Sequence, residues 1–265
     1  MSLSAVPGDG EMKLCGRRTP GRQLRAASGL PVAWVSDKAV GGGLTWAELA
    51  ERSAGSGLQP FLLYGVGFDA AGPLSERFGE QVGEPEDTTA IDRMDAAQVL
   101  QRWWDAQVPG EDELAEDDKL RLMFTPFFAR FPGLAPTVEE ELDPELMRRA
   151  LVQYTRHAQI GLVPAARPAD ILPRIGWAGA SNHRTASQLA AVLRSWEDRF
   201  GARLLEVGYE DIRLLVSRPP QTLKAAFEIA AEHFAFADEA HKGPHYVGEI
   251  ARVIENNPFW DFWSD

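Results

Sequence analysis

Hydrophobic and polar positions along this chain switch between two periods, and each switch marks an element. Leu30-Pro31-Val32-Ala33-Trp34-Val35 is a short apolar run that predicts a buried strand, closed by Gly41-Gly42-Gly43. Thr45-Trp46-Ala47-Glu48 predicts a helix through about Arg52, since Thr45 and Glu48 stand at capping-box spacing. Pro60-Phe61-Leu62-Leu63-Tyr64, after Gly55-Ser56-Gly57, predicts a second strand. A helix over 94–107 gathers Val99, Leu100, Trp103 and Trp104 on one side. Residues 109–118 read as a charged loop, 125–133 as an aromatic segment bounded by prolines, and 144–159 as another helix.

The last hundred residues carry the densest pattern. Residues 171–177 predict a strand ending in glycine. Thr185 and Gln188 form a second capping box, ahead of a helix with Leu189, Val192, Leu193, Trp196 and Phe200 on one face and Gly201 as its stop. Strands follow over 203–207 and 212–217, the second turning Ile212, Leu214 and Val216 inward. Pro219-Pro220 ends that sheet. Thr222 then starts a helix with Leu223, Ala226, Phe227, Ala230 and Phe234 on one face. A shorter helix and an aromatic ending, Phe259-Trp260-Asp261-Phe262-Trp263, complete the chain.

The resulting fold class is α+β, with a C-terminal β-α-β-β-α unit of the ferredoxin-like split kind and an N-terminal mixed α/β region. Three parts are expected: a disordered basic tail over 1–28, an N-terminal region over 29–160, and a C-terminal domain over 161–265, after a break at Gly161 and the prolines of 163–173. The tail reading covers an over-extended start site as well as a native segment.

Composition narrows the class of protein. Its 265 residues are 45% hydrophobic and 25% charged, as in an ordinary globular chain. No window approaches the roughly 18 consecutive apolar residues of a membrane span, and Arg17-Arg18 lacks the apolar stretch of an export signal. A single cysteine, Cys15, excludes an internal disulfide and suits a cytoplasmic setting. The net charge of −12 is concentrated in the acidic segment 69–118, whose 15 acids and 3 arginines sum to −12 by themselves. That segment repels nucleic acid and offers a face to a basic protein partner.

Several blocks of the C-terminal region resemble the bacterial domain-of-unknown-function family 4253. They are Ile175-Gly176-Trp177 with Gly179-Ala180 and Asn182, Ser195-Trp196-Glu197-Asp198-Arg199-Phe200-Gly201-Ala202, Pro219-Pro220, Ala231-Glu232-His233-Phe234-Ala235-Phe236, and the tryptophan-rich ending. The resemblance covers roughly 163–265, and Phe131-Pro132-Gly133-Leu134-Ala135-Pro136 is also similar to what full-length members carry. The chain departs from the family pattern at Ala237-Asp238-Glu239, where members often have Cys-Pro-Asp, and at Trp263-Ser264-Asp265, where they often have Trp-Trp-Asp. No thiol mechanism carries over. The family's description implies a domain and no activity.

The sharpest enzymatic set is a carboxylate–histidine group, Glu197 and Asp198 on one helix with Glu232 and His233 on the next, the minimum for general-base chemistry. No nucleophile or oxyanion device accompanies it, and Arg194 to Asp198 is an i,i+4 ion pair. The metal reading of His233, Asp238, His241 and His245 fails on spacing, because Gly243 and Pro244 interrupt the last pair. Gly65-Val66-Gly67-Phe68-Asp69-Ala70 matches a relaxed dinucleotide fingerprint, but Asp69 would face the phosphates, so it reads as a turn. No cofactor and no metal are expected. Trp177, Asn182, Arg199, Trp260 and Trp263 are the candidates for a binding surface. On balance the sequence favours a non-catalytic protein-binding module of an inhibitor- or immunity-like kind over a hydrolase-like enzyme.

Overall fold

A single eight-stranded sheet organises the computed structural model, which describes residues 5–63, 82–153, 158–180, 184–237 and 246–263. Its strands are β1 (Gly10–Leu14), β2 (Arg17–Arg25), β3 (Pro31–Ser36), β4 (Leu58–Leu63), β5 (Gln159–Pro164), β6 (Ala202–Val207), β7 (Asp211–Val216) and β8 (Phe259–Trp263). Their order across the sheet is β1-β2-β3-β5-β4-β6-β7-β8. Every neighbouring pair is antiparallel except β4 with β6. The helices are α1 (Gly43–Glu51), α2 (Ser53–Ser56), α3 (Ala96–Gln107), α4 (Glu111–Glu116), α5 (Asp118–Met123), α6 (Pro144–Gln153), α7 (Ile171–Arg174), α8 (Ala186–Phe200), α9 (Leu223–Phe236) and α10 (Val247–Ile254).

Period-two alternation divides the sheet's side chains into two cores. Val35, Phe61, Val163, Leu204, Leu214, Trp260 and Phe262 face the larger one, which α3, α8, α9 and α10 cover. Trp34, Leu62, Ile160, Leu162 and Leu215 face the other, where α1 contributes Trp46 and Ala50 and α6 contributes Leu151. Glycine opens the close approaches. A Cβ on Gly21 would lie inside 3 Å of the Trp34 ring, and one on Gly161 inside 3 Å of the Phe61 ring.

The structure corrects several sequence expectations. Residues 10–25 are not a disordered tail: they form the β1–β2 hairpin, in which Thr19 and Gly21 are buried on one face of β2 and Leu24 is buried on the other, in the larger core. The arginines of that stretch, Arg17, Arg18, Arg22 and Arg25, all remain exposed or half-exposed, which is why composition alone suggested a solvated tail. Residues 171–177 are not a strand: 171–174 form the helical turn α7, and Trp177 makes only an isolated bridge with Val82. Pro168 opens the preceding 3-10 turn, and the strand itself lies earlier, at β5. Thr45 and Glu48 form no capping box; α1 starts two residues earlier, and Glu48 pairs with Arg52 at 2.6 Å. The charged stretch 109–118 contains α4 and the start of α5, with Leu114 buried and Asp117 capping α5.

Other expectations hold. The Thr185–Gln188 capping box is complete, with Gln188 N donating to Thr185 Oγ1 at 3.2 Å and Thr185 N to Gln188 Oε1 at 3.1 Å. Gly201 ends α8 in the left-handed region. The aromatic ending docks as β8 with Trp260 and Phe262 buried. The protein is thus mixed α and β. The ferredoxin-like split does not emerge from this connectivity, because β4 lies between β5 and β6 and β8 pairs with β7. No helix among the described residues is long and apolar enough to cross a membrane.

Candidate functional site

Helix α8 places its signature residues by simple geometry. Leu189, Val192, Leu193, Trp196 and Phe200 turn toward the sheet, so Arg194, Glu197, Asp198 and Arg199 must flank that stripe. Each of these four meets a partner that the pattern of α8 does not reveal.

Glu197 and Asp198 share Arg167, which stands in the connection between β5 and α7. Arg167 Nε donates to Glu197 Oε2 at 2.7 Å, and its Nη2 donates to Asp198 Oδ1 at 2.7 Å and to the Arg194 carbonyl at 3.1 Å. Glu197 Oε1 also accepts from Ala169 N at 2.6 Å. Burial pushes the Glu197 carboxyl above its ordinary range, against the opposing pull of Arg167. The two acids differ in setting: the Glu197 side chain is 10% exposed and that of Asp198 is 69% exposed. Arg194 does not make the i,i+4 pair with Asp198. It reaches Asp170 at 2.7 Å and Asp92 at 2.5 Å, tying α8 to α7 and to the turn before α3.

Glu232 of α9 lies elsewhere and is fully enclosed. Arg199 grips it with Nη1 to Oε1 at 2.7 Å and Nη2 to Oε2 at 2.6 Å, a bidentate pair. Trp196 Nε1 donates to Oε2 at 2.8 Å and Ala135 N donates to Oε1 at 2.7 Å. Four donors therefore saturate a buried carboxylate. Arg199 also donates to the Ala135 carbonyl at 2.9 Å, so the pair pins the extended segment around Ala135 against both helices. This explains structurally why the 131–136 segment and the two helical blocks belong together.

His233 faces the sheet instead. Its ring centroid is 4.4 Å from Trp260, 4.8 Å from Phe262 and 5.0 Å from Trp196, and its Nε2 has no hydrogen-bond partner. Burial pushes the imidazole down to about 3, so it is neutral at pH 7. Glu197 and Asp198 on the one hand, and Glu232 and His233 on the other, thus belong to different environments. The first pair is held by Arg167, while Glu232 is consumed by Arg199 and His233 by aromatic packing.

Among the binding candidates, Trp177 is buried and donates from Nε1 to the Gly208 carbonyl at 3.1 Å. Trp260 is buried as well. Arg199 is occupied by Glu232, and Trp263 is half-buried opposite Asp211 on β7. Asn182 lies outside the described residues, as do 64–81 with the Gly65–Ala70 motif, and Asp238, His241 and His245 of the metal reading.

Two clusters escaped the sequence reading. On the sheet face opposite His233, Arg213 pairs with Asp261 through two hydrogen bonds and with Glu206 at 3.4 Å. Beside them, burial and the nearby Asp261 and Glu210 charges push the Asp211 carboxyl up to about 6. The alternation of β7 signals that Arg213 faces away from Ile212 and Leu214, but nothing local names its partners. The second is Glu86, whose two oxygens accept from Ala186 N at 3.0 Å and Ser187 N at 2.9 Å at the start of α8. There the carboxylate meets free amide donors and the positive end of the helix dipole.

Residues 159–265 match the family model described as Domain of unknown function (DUF4253), about two-fifths of the chain. No curated protein matches the chain significantly, and no solved structure does.

Proposed function

Taking residues 159–265 as a DUF4253 domain, we propose that this chain is a non-catalytic protein-binding module that meets a basic partner protein. One observation carries the reading. From Asp105 to Asp118 the chain holds seven acids and no base, and all seven side chains are exposed on α3, α4, the start of α5 and the connections between them. Among the described residues a single cationic side chain, Arg130, itself 85% exposed, pairs with one of them, Glu111, at 3.3 Å. A solvated pair of that kind contributes little, so the carboxylates keep their field for an incoming cationic surface.

The hydrolase alternative gains no comparable support. General-base work by His233 needs an imidazole that a substrate can reach, whereas this ring is buried among three aromatic side chains. Glu232, its neighbour, is saturated by four donors. The single cysteine, Cys15, is in keeping with a cytoplasmic site of action.

The test is capture from a native lysate by the tagged protein, set against a variant in which Glu111, Asp112, Glu113, Glu116 and Asp118 become amides. The proposal expects a captured basic protein that the wild type loses at raised salt and the variant does not bind. Equal capture by both proteins would refute it.

A further inference from the structure

His233 is unusual among the buried polar groups because one edge strand supplies most of its enclosure. Among the described residues β8 pairs with β7 alone, and it lies at the end of the sheet order. Its two inward residues, Trp260 and Phe262, are two of the three aromatic rings nearest His233; Trp196 of α8 is the third. Neither His233 Nε2 nor Trp260 Nε1 has a hydrogen-bond partner. An edge strand therefore covers an imidazole that has no acceptor ready for a second proton.

Among the described residues, the charged groups of α8, α9 and β8 nearest His233 are held by other partners. On α8, Arg199 is held by Glu232 and Glu197 by Arg167. On α9, Glu232 is turned to Arg199, one residue and about 100° around the helix from His233. On β8, Asp261 alternates to the opposite face and pairs with Arg213. Arg102 and Asp105 of α3 and Arg252 of α10 are exposed, and Glu249 of α10 lies in its first turn. Among the described residues, no carboxylate is hydrogen-bonded to the His233 ring. We propose that β8 is an acid-released latch: protonation of His233 expels Trp260 and Phe262 from the core and undocks the strand while the interior of the sheet stays folded.

The sign follows from linkage. Packed under β8, the imidazole is held down to about 3 by burial, against an ordinary 6.5 once the strand is open. The closed state therefore keeps its full advantage above pH 6.5 and loses it progressively as pH falls toward 3. Between pH 7.5 and pH 5 the open fraction rises about 30-fold for a single site with these values.

Amide hydrogen exchange on the full chain, corrected for intrinsic rates, reads this directly. The expected result is a loss of protection of about 30-fold at Trp260 and Phe262 between pH 7.5 and pH 5, with little change at Ile160 in the interior strand β5. His233→Phe, which keeps an aromatic ring and cannot take a proton, should abolish the loss. His233→Gln serves in the same way if the phenylalanine variant does not fold. Unchanged β8 protection, equal loss at Ile160, or a loss that persists in the non-titrating variant would overturn the proposal. So would a His233 ring signal that titrates near pH 6.5 while β8 stays protected.

Discussion

Removing the Arg199 guanidinium tests the claim that the helical signature is an architectural pin. In Arg199→Met the Glu232 carboxylate would keep two neutral donors, Trp196 Nε1 at 2.8 Å and Ala135 N at 2.7 Å, and lose both charged ones. Its side chain has no solvent access, so water cannot replace what is lost. Breaking a buried pair from one side costs about 3–5 kcal/mol, because it strands a charge in the interior. The Ala135 carbonyl loses its partner as well, adding about 1 kcal/mol. Glu232→Gln strands the opposite charge and should cost a similar amount. The double variant strands neither, so its loss should fall short of the sum of the single losses by about 2 kcal/mol or more. Arg199→Lys should lie between wild type and methionine, since an ammonium cannot reproduce the two-pronged grip. Urea unfolding followed by tryptophan fluorescence and by circular dichroism measures all four, provided the two probes coincide. A loss below about 1 kcal/mol in Arg199→Met, or strict additivity in the cycle, would refute the reasoning.

Two further outcomes follow from the sheet. Asp211 has a folded value raised to about 6 from an ordinary 3.8, so its contribution is fully present below pH 3.8 and lost as pH rises through 6. Asp211→Asn should therefore flatten the stability profile between pH 4 and pH 7 by about 2–3 kcal/mol, measured by unfolding at each pH; an unchanged profile would contradict the assignment. Gly21→Ala should destabilise the β1–β2 hairpin by about 1–3 kcal/mol, because the new methyl group meets the Trp34 ring, whereas Gly110→Ala, with nothing within 4 Å, should cost far less. Equal melting temperatures for the two variants would show that the hairpin does not pack as described.

What could be read from sequence depended on whether the signal was local. The α8 stripe, its Thr185–Gln188 box and the Gly201 stop are legible because each is set by residues within one or two turns. The inward alternation of Ile212, Leu214 and Val216 is legible for the same reason. By contrast, 171–177 was misread because a short apolar run fits a strand or a buried helical turn equally well, and only tertiary context decides. The hairpin over 10–25 was missed because its positive charges masked the alternation beneath them. The site residues show the same limit. Glu197, Asp198, Glu232 and His233 could be found by type, but Arg167, Ala135 and Trp260, which determine what those groups can do, lie 27 to 97 residues away along the chain.

The place of β4 has a consequence for how the matched region should be handled. Leu58–Leu63 runs between β5 and β6, hydrogen-bonded to both, so the region 159–265 does not contain its own sheet. A fragment starting at Gln159 would leave both edges of β5 and one edge of β6 bare, all of which are paired in the intact chain, along with the apolar cleft that Phe61 and Leu63 fill. Such edges invite pairing between copies, and the fragment would be expected to aggregate unless another strand took the slot. Similarity ends at residue 159, but the backbone pairing that encloses that stretch begins a hundred residues earlier. Any member in which the matched stretch folds alone must therefore fill this gap from elsewhere.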